Sequence, residues 1–241
     1  MSSYSALASD LQALKNPAKA KILSGFFKTG PGDYGEGDVF LGITIPLQRQ
    51  VAEKNPDLSF AQISRLLASP IHEHRMGALL ILTEQYKKAA KKKDDERRKQ
   101  IFDFYFVHVA RVNNWDLVDL SAPNIVGNHL LDNETGPSLL PALAQSKNLW
   151  ERRIAIVATL AFIRQNKFEP TFQIAALLLD DPHDLIHKAA GWMLREVGKR
   201  NQPAEEEFLL EHHKKMPRTM LRYAIERFDG KKKRMYMKKI R

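Results

Sequence analysis

Residues 113–123 read NNWDLVDLSAP. Taking Val112, Trp115, Val118 and Leu120 as the inward stripe of a helix puts Asp119 on or beside that stripe, one turn after Trp115. A carboxylate is costly to desolvate without a partner, so the acid needs a reason to be there.

The surrounding sequence sets the context. SALASDLQAL, RMGALLILTEQYKK, RRIAIVATLAFIRQ and LIHKAAGWMLREVGK repeat their apolar residues at i, i+3 and i+4, and so do most other segments. Breakers separate them: SP at 69–70, DNETGP at 132–137, DDPHD at 180–184 and NQP at 201–203. Alternating strand patterns are scarce, so the chain is predicted to be all-α.

The helices also resemble one another. RMGALLIL, RRIAIVATL, KAAGWMLR and RYAIERF each open on a basic residue, and Gly77, Ala155, Ala190 and Ala224 follow two positions after Arg75, Arg153, Lys188 and Arg222. These basic residues lie 78, 35 and 34 apart, and halving the first step predicts a matching helix near residue 114, where NNWDLVD stands. Helical pairs recurring every roughly 34–47 residues are the mark of HEAT-like or TPR-like solenoids, which stack into a curved superhelix with a concave face. In that register Arg75, Trp115, Arg153, Lys188 and Arg222 line one surface, with Leu79, Asp119, Val157, Trp192 and Glu226 one turn further on.

The 241 residues divide into a single solenoid domain at 1–228, interrupted by the glycine-rich loop TGPGDYGEGD at 29–38, and a basic tail at 229–241. The tail reads as mobile or ordered only on a polyanion. KKAAKKKDDERRK at 87–99 reads as a solvated helix end and connector. Lys and Arg number 38 against 28 Asp and Glu, a formal charge of +10 that favours nucleic acid as partner, with acidic lipid second.

The absence of cysteine excludes disulfides, thiolate zinc sites and cysteine nucleophiles. MSSYSALASDLQALKN lacks a basic segment leading into an apolar one, which predicts no secretory signal and a cytoplasmic protein. The glycine loop lacks the Lys-Ser/Thr ending of a phosphate-binding loop, and no strand precedes it. His183 and His187 have the spacing of metal ligands, but HDLIH carries no catalytic glutamate; with His72/His74 and His212/His213 they read as surface residues. No GxSxG motif is present. No cofactor and no metal are expected. Trp115, Asp119, Arg153 and Trp192 remain the strongest candidate set, against the plainer reading that the tryptophans fill the core and Asp119 pairs with a neighbouring cation.

NNWDLVD, LWERRIAI and AAGWMLREVGK, with NPAKAKILSGFFK, FLGITIP and TMLRYAIERF in order around them, resemble the AlkD-like DNA alkylation repair family of HEAT-like DNA glycosylases. The resemblance spans most of the chain and implies removal of N3- or N7-alkylated purines from double-stranded DNA by a monomer. It implies Asp119 as catalytic carboxylate, with Trp115 and Trp192 as the aromatics of the cleft. Arg153 matches the cleft arginine, Arg152 being its alternative by one position, and Phe26 matches loosely an aromatic placed against DNA. It further implies that the damaged base stays in the duplex, whereas most glycosylases flip it. Charge and register add Lys188, Arg195, Arg222 and the cluster around Lys232 as phosphate contacts. Two rivals keep the fold: a non-catalytic HEAT-like nucleic-acid-binding protein and a protein-interaction scaffold.

Overall fold

The computed structural model describes residues 3–132 and 138–238, so most of the DNETGP breaker and the last three residues of the basic tail lie outside the described residues. Among the described residues the fold is all-helical, as the periodicity predicted. No described helix is long and apolar enough to cross a membrane. The chain divides into two compact units with the boundary between Ser121 and Ala122.

The first unit holds α1 (Tyr4–Ala13), α2 (Pro17–Phe26), α3 (Ile45–Lys54), α4 (Phe60–Leu67), α5 (His72–Lys91), α6 (Asp95–Val107) and α7 (Trp115–Ser121). Residue choice at the helix starts is legible in chemical terms. Ser3, Asn16, Ser59 and Asp94 each accept a backbone N–H of the first turn that has no partner within its helix. The centre of the unit is α5, buried without interruption from His72 to Thr83 and packed by α1, α3, α4, α6 and α7. A helix buried on every side needs its charged residues satisfied internally. Glu73, fully buried, accepts N–H bonds from Leu41 (2.9 Å), Gly42 (2.8 Å) and Ile43 (3.2 Å), and so fastens the segment after the glycine-rich loop to α5. Only glycine fits at position 42: its φ is +87°, and a Cβ there would lie 2.2 Å from the Asn16 carbonyl oxygen.

The second unit holds a π-helical turn (Ala122–Gly127), α8 (Asn128–Leu131), α9 (Leu139–Ala144), α10 (Leu149–Ala158), α11 (Leu160–Arg164), α12 (Glu169–Leu177), α13 (Asp184–Gly198), α14 (Gln202–His212), α15 (Arg218–Ala224) and α16 (Gly230–Met237). Pro123 has no N–H to donate, and the helical path widens to a π-turn where it stands. α10, α12, α14 and α15 pack on α13. Gly77, Ala155, Ala190 and Ala224, the small residues of the sequence repeat, are all buried, as close helix packing requires.

The loops that open α5, α10 and α13 share one hydrogen-bonding motif, and it corrects the repeat register. Ser69, Ser146 and Asp181 each accept, through the side chain, the N–H two residues on: Ile71 at 3.1 Å, Asn148 at 3.0 Å and His183 at 2.8 Å. The carbonyl of the same residue is then met by the side chain six positions on: Arg75 at 3.0 Å, Arg152 at 3.1 Å and His187 at 2.5 Å. The residues equivalent to Arg75 are therefore Arg152 and His187, not Arg153 and Lys188. Their function is to close loops. Counted from the first residue of each helix, Asp119 in α7 takes the fifth position, which Arg153 holds in α10, Lys188 in α13 and Arg222 in α15.

The basic segment after Phe228 is also corrected. Instead of a mobile tail, residues 230–237 form α16, capped by the Asp229 side chain on the Lys231 and Lys232 amides at 2.8 and 2.9 Å. Tyr236 is buried, and Lys232 pairs with Glu206. The apolar side of Tyr236 anchors a helix whose charge pattern alone reads as solvated.

Two glycines test this packing with opposite signs. A Cβ on Gly191 would lie 2.3 Å from the Met220 carbonyl oxygen and 2.6 Å from the Tyr223 Cβ, whereas one on Gly25 in α2 would meet nothing within 4 Å. Gly191→Ala should lower unfolding stability by about 1–3 kcal/mol through overpacking. Gly25→Ala should raise it by about 0.5–1 kcal/mol through helix propensity. Urea denaturation of the two variants beside the parent protein checks both signs.

Candidate active site

α7 carries the candidate chemistry. Leu117, Val118 and Ser121 are buried, while Trp115, Asp116, Asp119 and Leu120 are half-buried, so the acid at 119 sits at the margin of the core. Tyr105 in α6 donates to the Ser121 hydroxyl (3.0 Å), which donates to the Leu117 carbonyl (2.6 Å) and fixes the last turn of α7.

Around Trp115 the first unit assembles an aromatic cluster. Phe27 lies parallel to the indole with ring centroids 5.0 Å apart, and Phe26 meets it edge-on at 5.9 Å. Phe40 and His72 continue the stack behind Phe27. Phe27 and Phe40 are buried, whereas Phe26 is 62% exposed. An exposed phenylalanine braced against a half-buried tryptophan, with a carboxylate one turn along, offers a flat apolar surface beside a negative charge. Cationic, electron-poor groups suit such a surface.

Behind the aromatics lies a buried ionic network that sequence reading did not anticipate. Asp38, the last residue of the glycine-rich loop, accepts from Arg75 Nη2 (2.5 Å), His72 Nδ1 (3.2 Å) and Asn114 Nδ2 (3.1 Å). His72 Nε2 donates to Asp116 at 2.8 Å. The expectation that His72 and His74 are surface residues is overturned: His72 is 2% exposed, and His74 is buried with Nδ1 hydrogen-bonded to the Ser69 hydroxyl at 3.0 Å. Arg75 is likewise 1% exposed and lines no surface.

Burial works against a charged His72, but the adjacent Asp116 carboxylate and the hydrogen bonds to Asp116 and Asp38 outweigh it and raise its pKa to about 9. Burial also opposes ionisation of Asp38, yet His72, Arg75 and Asn114 together hold its carboxyl below the ordinary range. Asp38 therefore faces two cations, His72 and Arg75, with Asp116 on the far nitrogen of the imidazole. The signal in the sequence was the acid closing a glycine-rich loop together with HEHR at a helix start, and only contacts over long sequence separations connect the two.

In the second unit most of the other site candidates are committed to internal bonds. Arg153 is 5% exposed and donates from Nη1 to the Leu185 carbonyl at 2.6 Å. Arg152 pairs with Asp181 (2.6 Å), Arg195 with Glu226, and Lys188 with Asp184 (2.6 Å). Trp192 is half-buried, and its indole N–H donates to Glu196 at 3.0 Å. Arg222 is exposed. Lys188, Trp192 and Arg195 follow one another at four- and three-residue spacing along one side of α13, with Glu196 four residues after Trp192. His183 caps that helix through Nδ1.

The described residues form an all-helical fold with an aromatic and carboxylate cluster on it, and the comparisons give the family. The family model described as DNA alkylation repair enzyme matches residues 7–228, nearly the whole chain. This protein belongs to that family. Among solved structures it is similar to one described as a predicted DNA alkylation repair enzyme from Enterococcus faecalis. That match has a TM-score of 0.68 and 20% sequence identity, covering 90% of this chain and 97% of the other. At that identity the likeness shows the shared fold. No curated protein matches the sequence significantly.

The His72 network predicts a pH dependence of stability. The folded pKa of about 9 lies above the ordinary 6.5, so the stabilisation is complete below pH 6.5 and is lost as pH rises through about 9. It amounts to about 3 kcal/mol. Urea midpoints measured across this range should fall in the parent protein and fall less steeply in His72→Gln, where Glu205, pushed up to about 8 by burial, still contributes a decline.

Proposed function

We propose that this member of the family is a monofunctional DNA glycosylase. It hydrolyses the N-glycosidic bond of positively charged alkylated purines, 7-methylguanine and 3-methyladenine, in double-stranded DNA as the first step of base excision repair. The observation that carries the reading is the pairing of Trp115 and Asp119 on adjacent turns of α7, beside the exposed Phe26, in a chain of this family.

The chemistry suits one carboxylate. Cleavage of a glycosidic bond builds an oxocarbenium-like cation on the sugar, and most glycosidases use a second carboxyl group as acid to protonate the leaving group. A purine alkylated at N3 or N7 already carries positive charge and departs without that proton. Asp119 then stabilises the sugar cation and orients the attacking water, and the face of Trp115 adds cation–π attraction. Selectivity follows from the lability of the cationic lesion, with the base left stacked in the duplex.

The formal charge of +10 supports DNA as the partner. Arg222 is the phosphate contact that exposure supports; Lys188 is half-buried and paired with Asp184. Phe26 lies against the DNA; Trp192, Arg153 and Arg152 keep cleft roles on the family resemblance alone, and Arg195 and Lys232 keep phosphate-contact roles on charge and register alone. We read the stacked helices as HEAT-like repeats, and the protein as a cytoplasmic monomer that needs no cofactor.

Base release from methylated duplex DNA, quantified as free 7-methylguanine and 3-methyladenine, tests the proposal. The parent protein should release both, and Asp119→Asn should lose at least about a hundredfold in rate while retaining DNA binding. Full activity in Asp119→Asn removes the carboxylate from the mechanism. Salt-dependent binding with no base release by the parent favours the non-catalytic binding protein.

A further inference from the structure

We propose that Asp38 and His72 are positioning residues for this chemistry, holding the Asn114–Asp116 turn so that Trp115 and Asp119 keep their places; the inference rests on the excision reading above.

Asn114 and Asp116 flank Trp115, and each makes one bond to the scaffold and one to the start of α7. Asn114 Nδ2 donates to Asp38 at 3.1 Å while its Oδ1 accepts the Trp115 N–H at 2.8 Å. Asp116 Oδ2 accepts from His72 at 2.8 Å while its Oδ1 accepts the Leu117 N–H at 2.9 Å. The first turn of α7 is thus held at the residues on both sides of the tryptophan, and the indole rests on Phe27 and Phe26.

α7 needs this support. It has seven residues, too few to be stable as an isolated helix, and the π-turn containing Pro123 follows it. Asp119 sits one turn beyond Trp115, so a rotation of the first turn displaces the carboxylate as well. The grip depends on His72 carrying two N–H donors, one for each carboxylate. The groups facing it are Asp38 from the loop, Asp116 from α7 and Arg75 from α5, with Arg111 behind Arg75 and the rings of Phe27 and Phe40 on its faces. On losing one proton the imidazole can serve only one of its two acids.

The same geometry gives the glycine-rich loop a purpose. Its end is pinned by the Val39 N–H to the Pro70 carbonyl (3.0 Å) and the His72 N–H to the Val39 carbonyl (2.8 Å), which delivers Asp38 to the start of α5. The loop therefore supplies a structural carboxylate to the site, where a phosphate cradle would supply backbone amides.

Single-turnover base release from a 7-methylguanine duplex, together with 15N–1H spectra of the indole groups, tests the proposal. His72→Gln and Asp38→Asn should slow release by about tenfold to a hundredfold, with DNA affinity within about twofold of the parent. In the spectra the Trp115 resonance should move, while Trp150 and Trp192 in the second unit should not. In the parent protein the Trp115 resonance should titrate with a midpoint near pH 9, a readout that needs no variant and stands even if both variants fail to fold. Unchanged release and an unchanged Trp115 resonance in the variants overturn the proposal, as does a Trp115 resonance in the parent that ignores pH. A parent protein that releases no base overturns the excision reading, and the Trp115 resonance still decides whether the clamp exists.

Discussion

Asp38 has to be buried, and a buried carboxylate must be surrounded by donors. That constraint organises the first unit. Three side chains from two distant segments converge on it: Arg75 and His72 from the first turn of α5, and Asn114 from the residue before α7. The chain between residues 28 and 38 must turn tightly enough to bring the acid there. Glu73 secures the next stretch through the amides of residues 41–43. Breaking such a set by removing one member leaves a buried charge without compensation, typically a loss of about 3–5 kcal/mol. Building it contributes less to net stability than to specifying one arrangement, because desolvation of four ions offsets much of their attraction.

Charge in this protein divides between closure and display. Arg75, Arg111 and Arg152 donate to backbone carbonyls where helices end and loops turn; Arg111 alone meets those of Leu67, Ala68 and Ser69. Guanidinium groups suit this task because their planar fork reaches several acceptors at once and stays charged when desolvated. Arg75 and Arg152 are each matched by a buried aspartate, so the formal excess of +10 resides in other cations. Arg222 is exposed, while the buried arginines hold the frame.

Apolar periodicity was enough to read the helices, and the small residues at 77, 155, 190 and 224 marked buried positions. The register was legible only to within one residue. LWERR offers two adjacent arginines, and pattern matching alone cannot tell which one turns back to the Ser146 carbonyl. For the same reason Lys188 was matched where His187 performs the task. Trp115 and Asp119 were legible as types at a suggestive spacing, and Phe26 only through the family resemblance. The Asp38 network was not, because its members come from three places separated by 34 to 76 residues and share no local period. The basic tail misled for a related reason: one buried tyrosine, Tyr236, outweighs the charges beside it.

α7 carries two aspartates three positions apart, and their surroundings assign them different work. Asp116 faces inward, where a protonated histidine takes one oxygen and the Leu117 amide the other. With both oxygens engaged by donors of its own fold, it is poorly placed to meet a transient cation on a substrate. Asp119 stands on the turn that carries the tryptophan's face, half-buried, at the helix position that basic residues occupy in α10, α13 and α15. By fixing the first turn of α7, Asp116 sets where the second turn holds Asp119.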